Sequence, residues 1–347
     1  MLRKIIVLVK DLKNRHLCVV TEGGKTFGFG HITRCLSIST IFKQHGFDIH
    51  FIVNGDRSIS SVLNDTKHTI FDWSNKKEKL LEILSKSSLV LIDSIEITNE
   101  QILEIQSLKK DTIFIDDEKR RNILDYGFVV DWTVLSDEKE YFTPKKENIT
   151  YLLGSKYTPL REEFKTAKQN VIGEDIKSIM VTFGGADVRD LTPKILKNLA
   201  DNFPNIQKNI IIGSGFTNIK KIESFKDANT NLIFNAETST MINLMQNSDL
   251  AIASGGQTLY ELARIGTPTI AILLVENAKD DTLGWQRVGS VINIGWYNDE
   301  KLLANLNDAI VSLREKNARL QMQNKAKKYI NPNGALTLVN TILEKLK

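Results

Sequence analysis

Short apolar runs rich in β-branched residues alternate along the chain with amphipathic stretches whose apolar residues recur at helical spacing. The apolar runs predict strands at Ile5–Val9, Leu17–Thr21, Asp48–Val53, Leu89–Asp93, Thr112–Ile115, Phe128–Val130, Ile179–Phe183, Ile210–Gly213, Leu232–Phe234, Leu250–Ser254 and Pro268–Leu273. The amphipathic stretches predict helices at Ile32–Gln44, Lys77–Lys86, Asn99–Lys109, Leu191–Asn202, Met241–Asn247, Thr258–Ile265, Glu300–Lys316 and Ala335–Leu346. Continuous apolar strands that alternate with helices are typical of parallel sheets covered on both faces, so we predict an α/β protein.

The alternation is interrupted by a largely polar segment, Arg161–Lys177, whose four large apolar residues form neither a helical nor a strand face. A single core rarely grows beyond roughly 250–300 residues, and this chain has 347. We therefore expect two α/β domains, 1–165 and 166–330, with the polar segment as the linker. After the turn signal Asn331-Pro332-Asn333-Gly334, the remainder of 331–347 is expected to form a helix that packs back on the first domain.

Composition and charge exclude several classes of partner. The 46 basic and 42 acidic residues are interspersed, and no basic stripe of the kind that binds nucleic acid is visible. The clusters Lys119-Arg120-Arg121 and Lys325 with Lys327-Lys328 are interpreted as solvated faces. No window approaches the roughly 18 apolar residues of a transmembrane helix, and the first apolar run is too short for a signal peptide. With Cys18 and Cys35 expected as buried thiols in a reducing compartment, the chain is expected to be cytoplasmic, with no integral membrane segment.

A glycine-rich segment follows the predicted strand Leu17–Thr21 and precedes a predicted helix, an arrangement that can bind anions at the helix N-terminus. Gly24-Lys25-Thr26 looks like the end of a P-loop, but Val19 stands where that motif requires its first glycine. Gly28-Phe29-Gly30 begins a dinucleotide fingerprint, but Thr33 replaces the third glycine. Neither common phosphate motif is therefore present.

What remains in this segment is the pattern Gly-x-Gly-His-x-x-Arg, formed by Gly28, Gly30, His31 and Arg34. Histidine is suited to proton transfer near neutral pH, and arginine can bind a phosphate or carboxylate with two donors. The alternative is that His31 only caps the helix and Arg34 lies on the surface. The histidines without such a context are expected on the surface: His16, His45, His50 and His68.

The second half of the chain contains two further glycine loops, each at the carboxyl end of a predicted strand. They contain Gly184, Gly185 and Asp187 in the first loop, and Ser254, Gly255, Gly256, Gln257 and Thr258 in the second. Glycines at such positions let a diphosphate approach the backbone, and Glu261, one turn into the next helix, can accept both hydroxyls of a ribose. Asn277 follows the next strand at the edge where α/β sheets bind ligands. The alternative is that these glycines only form tight turns.

These motifs resemble a known group of enzymes. Gly-x-Gly-His at 28–31, Gly-Gly-x-Asp at 184–187 and Ser-Gly-Gly-x-Thr-x-x-Glu at 254–261 look like the GT-B relatives of the lipid II N-acetylglucosaminyltransferase. Segments 27–36 and 152–164 resemble one branch more closely. That branch contains the UDP-2,4-diacetamido-2,4,6-trideoxy-β-L-altropyranose hydrolases of pseudaminic acid biosynthesis and the spore-coat polysaccharide biosynthesis proteins. Ile95, where the family usually has an aromatic residue, and Ala278, where it has glutamine, depart from the pattern.

The resemblance implies a GT-B fold, in which two Rossmann-like domains have parallel sheets that face a central cleft. It implies hydrolysis of a UDP-activated 2,4-diacetamido-2,4,6-trideoxyhexose to UDP and free sugar, in nonulosonic (pseudaminic-type) acid or surface polysaccharide biosynthesis. His31 would activate water. The residues implied to bind the sugar are Gly28, Gly30, Arg34, Asp93, Tyr157 and Asn277. Those implied to bind the nucleotide are Gly184, Gly185, Asp187, Ser254, Gly255, Gly256, Gln257, Thr258 and Glu261.

No metal or other cofactor is expected, because the chain contains no Asp-x-Asp metal-binding signature and helix dipoles can stabilise a UDP leaving group. Two other functions are considered beside hydrolysis. A glycosyltransferase would pass the sugar from the UDP-sugar to a polysaccharide or lipid-linked acceptor. A non-catalytic nucleotide-sugar binder would keep the glycine loops of the second half and Glu261, but it has no need of His31.

Overall fold

The computed structural model describes residues 15–136 and 144–346, and the predicted strand Ile5–Val9 lies outside them. The strands in the described residues are β1 (His16–Gly23), β2 (Asp48–Gly55), β3 (His68–Ile70), β4 (Leu89–Asp93), β5 (Asp111–Ile115), β6 (Gly127–Asp131), β7 (Ile149–Leu153), β8 (Ser178–Thr182), β9 (Gln207–Ile212), β10 (Thr230–Phe234), β11 (Leu250–Ser254), β12 (Thr269–Leu273) and β13 (Val291–Trp296). The α-helices are α1 (Gly30–Gln44), α2 (Ser60–Leu63), α3 (Lys77–Ser85), α4 (Asn99–Ser107), α5 (Glu162–Thr166), α6 (Leu191–Asn202), α7 (Ile219–Glu223), α8 (Thr238–Asn247), α9 (Gln257–Ile265), α10 (Lys279–Val288), α11 (Leu302–Ser312), α12 (Lys316–Tyr329) and α13 (Gly334–Lys345). The predicted α/β class is confirmed.

The chain divides into two compact units, each with its own parallel sheet. The first contains the described chain through Trp132, the stretch that ends at Pro159, and the segment that begins at Asn333. The second contains Leu160–Pro332 and a short piece that begins at Thr133. The C-terminal helix α13 therefore belongs to the first unit, where it contacts α1.

The sheet of the first unit has seven parallel strands in the order β3-β2-β1-β4-β5-β6-β7. Alternate residues of its strands point to one face, where Val20, Ile92 and Phe114 share a buried cluster with residues of α3 and α4. The strand order reverses between β1 and β4. In α/β sheets, ligands bind outside the carboxyl ends of the strands at such a reversal.

The sheet of the second unit has six parallel strands in the order β10-β9-β8-β11-β12-β13. Its core joins Val181, Ile252 and Ile270 of three neighbouring strands to buried residues of α6 and α11. Here the strand order reverses between β8 and β11, the two strands that lead into the glycine loops of this unit. No helix in the described ranges has both the length and the apolar character needed to cross a membrane.

The structure corrects the interpretation of two groups of charged residues as surface residues. In the basic triplet, Arg120 donates from Nε to Asp131 at 2.9 Å, and Arg121 donates from Nη1 to the Ile97 carbonyl at 2.6 Å. Only about a tenth of each of these two side chains is exposed, because each arginine satisfies a polar group inside the unit. His50 was expected on the surface but is buried on β2. Burial lowers its pKa to about 4.

The segment expected to be a linker, Arg161–Lys177, contains α5 and buries Phe164 and Ile172 within the second unit. The side-chain amide of Asn170 donates to the carbonyls of Met245 and Ser248 at 2.9 and 2.7 Å. Of the four apolar residues of the segment, Val171 is exposed, so no continuous apolar face is present. Both cysteines are buried free thiols, as predicted.

Candidate active site

The first glycine loop is a tight turn that leads directly into α1. Gly24 and Gly28 exchange two backbone hydrogen bonds, of 2.9 and 2.8 Å, which close the loop. Gly28 has a φ of +76°, a conformation that favours glycine. Open space surrounds the Cα atoms of both Gly28 and Gly30, so the backbone beside His31 is accessible to a ligand. This loop places His31 in the first turn of α1.

The imidazole of His31 is held by the carboxylate of Asp93, the last residue of β4. His31 Nδ1 lies 2.8 Å from Asp93 Oδ1, and Asp93 is fully buried. Arg34 Nη2, which can only donate, also lies 3.2 Å from Nδ1, but the carboxylate contact is shorter. Because an ionised carboxylate only accepts hydrogen bonds, we assign the proton to Nδ1. The lone pair of a neutral His31 is then on Nε2. This tautomer can accept a proton at Nε2 from a reacting group.

Arg34, one turn after His31, binds the same carboxylate with two donors. Its Nε donates to Asp93 Oδ2 at 2.7 Å, and its Nη2 donates to Oδ1 at 2.5 Å. The third nitrogen, Nη1, donates to Asp117 Oδ2 at 2.8 Å, just after β5. The guanidinium also lies 4.9 Å from the ring centre of Trp132. Arg34 is therefore not the surface residue of the alternative interpretation, and it fixes the carboxylate that orients His31.

The charges of this cluster set the protonation of its members. Burial favours the neutral form of Asp93, but Arg34 and His31 outweigh it and hold the pKa of this carboxyl far below its ordinary value. Burial also opposes the charged form of His31. The charge of Asp93, its hydrogen bond and the charge of Glu22 together outweigh burial and the repulsion by Arg34, so the pKa of His31 is raised above its ordinary value. Asp93 is thus a stable anion, and His31 holds a proton more readily than a free histidine.

Glu22, at the end of β1, is a buried carboxyl beside this cluster that the sequence reasoning missed. It is 1% exposed, and its Oε1 accepts the backbone N–H of Ile95 at 2.6 Å. Burial raises its pKa, although the charge of His31 opposes this. Their position in the chain could have identified Glu22 and Asp117. Glu22 lies at the carboxyl end of β1 and Asp117 just after β5, and these are the two strands adjacent to β4.

A shallow open pocket lies at this edge of the first sheet, and its free space of about 220 Å³ includes adjoining solvent. His31, Arg34 and Asp93 line it together with residues of the loops that follow β4 and β5. The loop residues are Ser94, Ile95, Asp116, Asp117, Glu118, Lys119 and Arg121, next to Ile115 at the end of β5. Tyr157 was predicted to bind the sugar, but it is buried in the 3-10 helix Ser155–Tyr157 and does not line this pocket in the described structure.

In the second unit, the loop after β8 exposes Gly184 and Gly185. Gly184 has a φ of +76° and open space around its Cα. Asp187 is buried, and its carboxylate accepts the backbone N–H groups of Leu191 and Thr192 at 3.0 and 2.8 Å. The described contacts of Asp187 thus shape the loop and cap the start of α6.

The loop after β11 leads to the N-terminus of α9. Gly256 has a φ of +96°, and a Cβ atom on Gly255 would lie 2.8 Å from the carbonyl oxygen of Ala278. Glycine is therefore required at both positions, for different reasons. Gln257 and Thr258 form the first turn of α9, where backbone N–H groups and the helix dipole favour an anion. Asn277 is exposed in the 3-10 helix Glu276–Ala278 of the same unit.

Glu261, on α9, is paired with Arg161, which was not among the predicted site residues. Arg161 donates from Nε to Glu261 Oε1 at 2.9 Å and from Nη1 to Thr238 Oγ1 at 2.9 Å. Glu261 is 5% exposed, and burial raises its pKa against the opposing charge of Arg161. The ion pair links the start of α8 to α9 and fixes the orientation of the Glu261 carboxylate.

Comparison with known proteins relates the chain to enzymes of sugar metabolism. Residues 178–338 match the family model described as the glycosyltransferase family 28 C-terminal domain. The chain is 25% identical to the spore coat polysaccharide biosynthesis protein SpsG of Bacillus subtilis, over 81% of this chain and 84% of that protein. It is 24% identical to the UDP-2,4-diacetamido-2,4,6-trideoxy-beta-L-altropyranose hydrolase of Campylobacter jejuni, over 76% and 93%. It is also 26% identical to an uncharacterised protein of Methanocaldococcus jannaschii, where the match covers 74% of this chain and 55% of that longer protein.

Among solved structures, the chain resembles the crystal structure of MurG from Acinetobacter baumannii, with a TM-score of 0.69 and 13% identity. The likeness covers 95% of this chain and 99% of that one. It confirms the predicted GT-B fold. Together with the match to the glycosyltransferase family 28 C-terminal domain, this fold indicates a glycosyltransferase-like enzyme.

Within that class, the chain resembles SpsG and the UDP-sugar hydrolases, as its motifs predicted. It is thus related to nucleotide-sugar enzymes.

Proposed function

We propose that the chain hydrolyses a UDP-activated 2,4-diacetamido-2,4,6-trideoxyhexose to UDP and the free sugar, in nonulosonic acid or surface polysaccharide biosynthesis. The observation that carries this proposal is the His31–Asp93 pair, which is fixed by Arg34 at the edge of an open pocket. The resemblance to a hydrolase of such a UDP-sugar supports the substrate class. A binding protein would have no use for a base oriented in this way.

In the proposed reaction, His31 Nε2 accepts a proton from a water molecule as the water oxygen bonds to the anomeric carbon of the sugar. The bond between that carbon and the UDP oxygen breaks, and UDP leaves with the electron pair. Asp93 keeps the imidazole in the required tautomer and stabilises the imidazolium that forms. The proton that His31 acquires returns to solvent, so the products are UDP, the free sugar and one proton.

The second unit is proposed to hold the nucleotide. The N-terminus of α9, with Ser254, Gly255, Gly256, Gln257 and Thr258, would bind the diphosphate, and Gly184 and Gly185 would let it approach the backbone. Glu261, oriented by Arg161, would accept the ribose hydroxyls. N–H donors and a helix dipole stabilise the negative charge that develops on the leaving UDP.

One observation favours a second candidate function. The match of 178–338 to a glycosyltransferase domain is compatible with transfer of the sugar to a polysaccharide or lipid-linked acceptor. In that reaction, His31 would deprotonate an acceptor hydroxyl in place of water. The two functions differ in whether UDP is released when no acceptor is present.

The experiment that tests the proposal is UDP release from a panel of UDP-sugars, with EDTA present and no acceptor. The panel contains UDP-N-acetylglucosamine and the UDP-2,4-diacetamido-2,4,6-trideoxyhexoses. We expect rapid release from a diacetamido sugar, loss of turnover in His31→Ala, and UDP affinity within a few-fold of the parent. His45→Ala, at the exposed end of the same helix, is the control and should keep full activity. Turnover that survives in His31→Ala would make His31 structural, and sugar binding without release would favour the transferase.

A further inference from the structure

Two buried polar atoms in the pocket of the first unit face each other without a hydrogen bond. Asp116 Oδ1 and Arg121 Nε are 3.7 Å apart, and neither has a hydrogen-bond partner in the described structure. Asp116 is 2% exposed. Both residues line the pocket that also contains His31. The two atoms are close enough for an ion pair but not for a hydrogen bond. Buried polar groups are almost always hydrogen-bonded as well, so this pair requires an explanation.

The two side chains are held apart by their other contacts. Arg121 donates from Nη1 to the carbonyl of Ile97 at 2.6 Å, and its guanidinium lies 4.8 Å from the ring centre of Phe114. Asp116 uses its other oxygen, Oδ2, to accept the backbone N–H of Asn122 at 3.2 Å. Closing the gap would break these contacts. The separation is therefore built into the loops that follow β4 and β5.

The gap selects a chemical group that accepts from Arg121 Nε and donates to Asp116 Oδ1. At this separation, one oxygen atom about 2.9 Å from each would make both hydrogen bonds. A carbonyl or an ionised phosphate cannot donate to the carboxylate, and an ammonium cannot accept from the guanidinium. A hydroxyl group does both through a single atom, as does a water molecule that such a hydroxyl would replace on binding. The pair is thus complementary to an alcohol.

We propose that Asp116 and Arg121 bind the C3 hydroxyl of the substrate sugar beside His31. This inference rests on the proposed function, because it takes its ligand from the proposed substrate class. In a UDP-linked 2,4-diacetamido-2,4,6-trideoxyhexopyranose, C2 and C4 carry acetamido groups, C6 is a methyl group, and C1 is bonded to UDP. The C3 hydroxyl is then the one hydroxyl that the sugar ring can offer. The pair would set the position of the ring in the pocket and discriminate against sugars without this hydroxyl.

The test is a cycle that changes the protein and the sugar independently. In a His31→Ala background, which prevents turnover, calorimetry would measure the affinity for UDP, for the UDP-diacetamido sugar, and for its 3-deoxy analogue. Asp116→Asn can keep an acceptor for Asn122 N–H while presenting its amide N–H₂ to Arg121. Asp125→Asn is the matched control, because Asp125 is an exposed carboxylate of the same stretch.

We expect the 3-deoxy analogue to bind about 10- to 100-fold more weakly than the parent sugar, on the scale of a hydrogen bond to a charged group. Asp116→Asn should weaken the parent sugar similarly, leave the 3-deoxy analogue nearly unchanged, and leave UDP unchanged. Equal affinity for the two sugars, or an equal loss for both in Asp116→Asn, would overturn the site. If wild-type protein binds the sugar with this coupling but releases no UDP, the hydrolase proposal fails and the hydroxyl site stands. Absence of any binding of the diacetamido sugar would overturn both.

Discussion

At the scale of single residues, the chemistry of the first unit depends on one buried carboxylate. Asp93 accepts hydrogen bonds from His31 and from two nitrogens of Arg34, and the thiol of Cys35 also lies 3.2 Å from it. The positive charge of Arg34 keeps Asp93 ionised, and Asp93 in turn keeps the His31 proton on Nδ1. The guanidinium thus acts on the base through the carboxylate. A base oriented in this way requires all three residues.

Asp93→Asn tests this arrangement through its pH dependence. His31 must be neutral to accept a proton, so kcat/KM should fall as the pH drops through the pKa of His31 in the free enzyme, which lies above the ordinary 6.5. Removing the carboxylate leaves burial and Arg34, which lower this pKa and are larger causes than Glu22, which raises it, so the acidic limb should move to lower pH. The plateau rate should fall about 10²- to 10⁴-fold, since an amide can donate to Nδ1 and select the wrong tautomer.

The pH profile of UDP release, together with an NMR titration of the His31 ring, measures both effects. Asp117→Asn is the comparison, because Asp117 accepts a hydrogen bond from Arg34, whereas Asp93 contacts both Arg34 and the imidazole. Its acidic limb should stay near that of the parent. An unchanged limb and an unchanged rate in Asp93→Asn would show that Asp93 does not orient the base.

Single residues were predictable from sequence where a local motif contains them. His31 and Arg34 lie within seven residues of Gly28, and the glycine pattern identifies them. The partnership of Arg34 with Asp117 spans 83 positions and depends on the adjacency of β4 and β5. Arg161 and Glu261 are 100 positions apart. No local pattern records such pairings, because only the strand order brings the partners together.

At the scale of elements, the predicted binding loops all follow strands at an order reversal. The first glycine loop follows β1, and the other two follow β8 and β11. At these positions, neighbouring strands lead their connections to opposite sides of the sheet, which leaves space above the strand ends. Short glycine-containing turns keep this space open. The glycine loops thus provide backbone N–H groups for a ligand, and charged side chains beside them provide the charge.

Gly255→Ala tests the loop that precedes α9. The added Cβ would lie 2.5 Å from Thr282 Oγ1, 2.7 Å from Ala278 Cβ and 2.8 Å from Ala278 O, so the loop would have to move. We expect a loss of about 1–3 kcal/mol in the free energy of unfolding, as for overpacking elsewhere, and weaker UDP binding. Urea unfolding and calorimetry with UDP would measure these effects. Gly30→Ala, which has open space and an ordinary φ, should keep its stability. Parent-like values for Gly255→Ala in both measurements would remove this loop from the nucleotide site.

Elements with an uninterrupted pattern were predicted well, and the interrupted ones were missed. The predicted bounds of Leu89–Asp93, Leu250–Ser254 and Leu191–Asn202 are those of β4, β11 and α6. Strand β13 was missed because Asn293 and Gly295 interrupt its apolar run. The predicted helix Glu300–Lys316 is wrong at its end, since α11 stops at Ser312 and a separate helix, α12, begins at Lys316. Helix α12 buries Arg319 and Gln323 beside Met322, so its inner face lacks the apolar periodicity that predicts a helix.

At the scale of the whole molecule, each unit combines its own core with its own loop site. The fold class could be predicted from sequence, because alternation of strands and helices is a property of the entire chain. The proposed sugar site could be predicted only in part. The proposed base His31 and its neighbour Arg34 lie in one motif. The proposed role of Asp116 and Arg121 depends instead on the distance between their side chains, which the sequence does not show. The triplet Lys119-Arg120-Arg121 was interpreted as a solvated face because the sequence does not show that Arg120 and Arg121 find hydrogen-bond partners inside the unit.

In the proposed reaction, water attacks the anomeric carbon of the sugar, and the fate of isotopic oxygen tests this attack most directly. Wild-type protein would be incubated with the UDP-diacetamido sugar in H₂¹⁸O, with EDTA and no acceptor, and the UDP examined by ³¹P NMR and mass spectrometry. We expect full release of UDP without ¹⁸O, because the bond from carbon to oxygen breaks and both phosphates keep their oxygens. The free sugar, analysed immediately, should contain the label at C1. Label in the β-phosphate of UDP would show attack at phosphorus, and intact UDP-sugar would show that water is not the acceptor. Either result would contradict the proposed function.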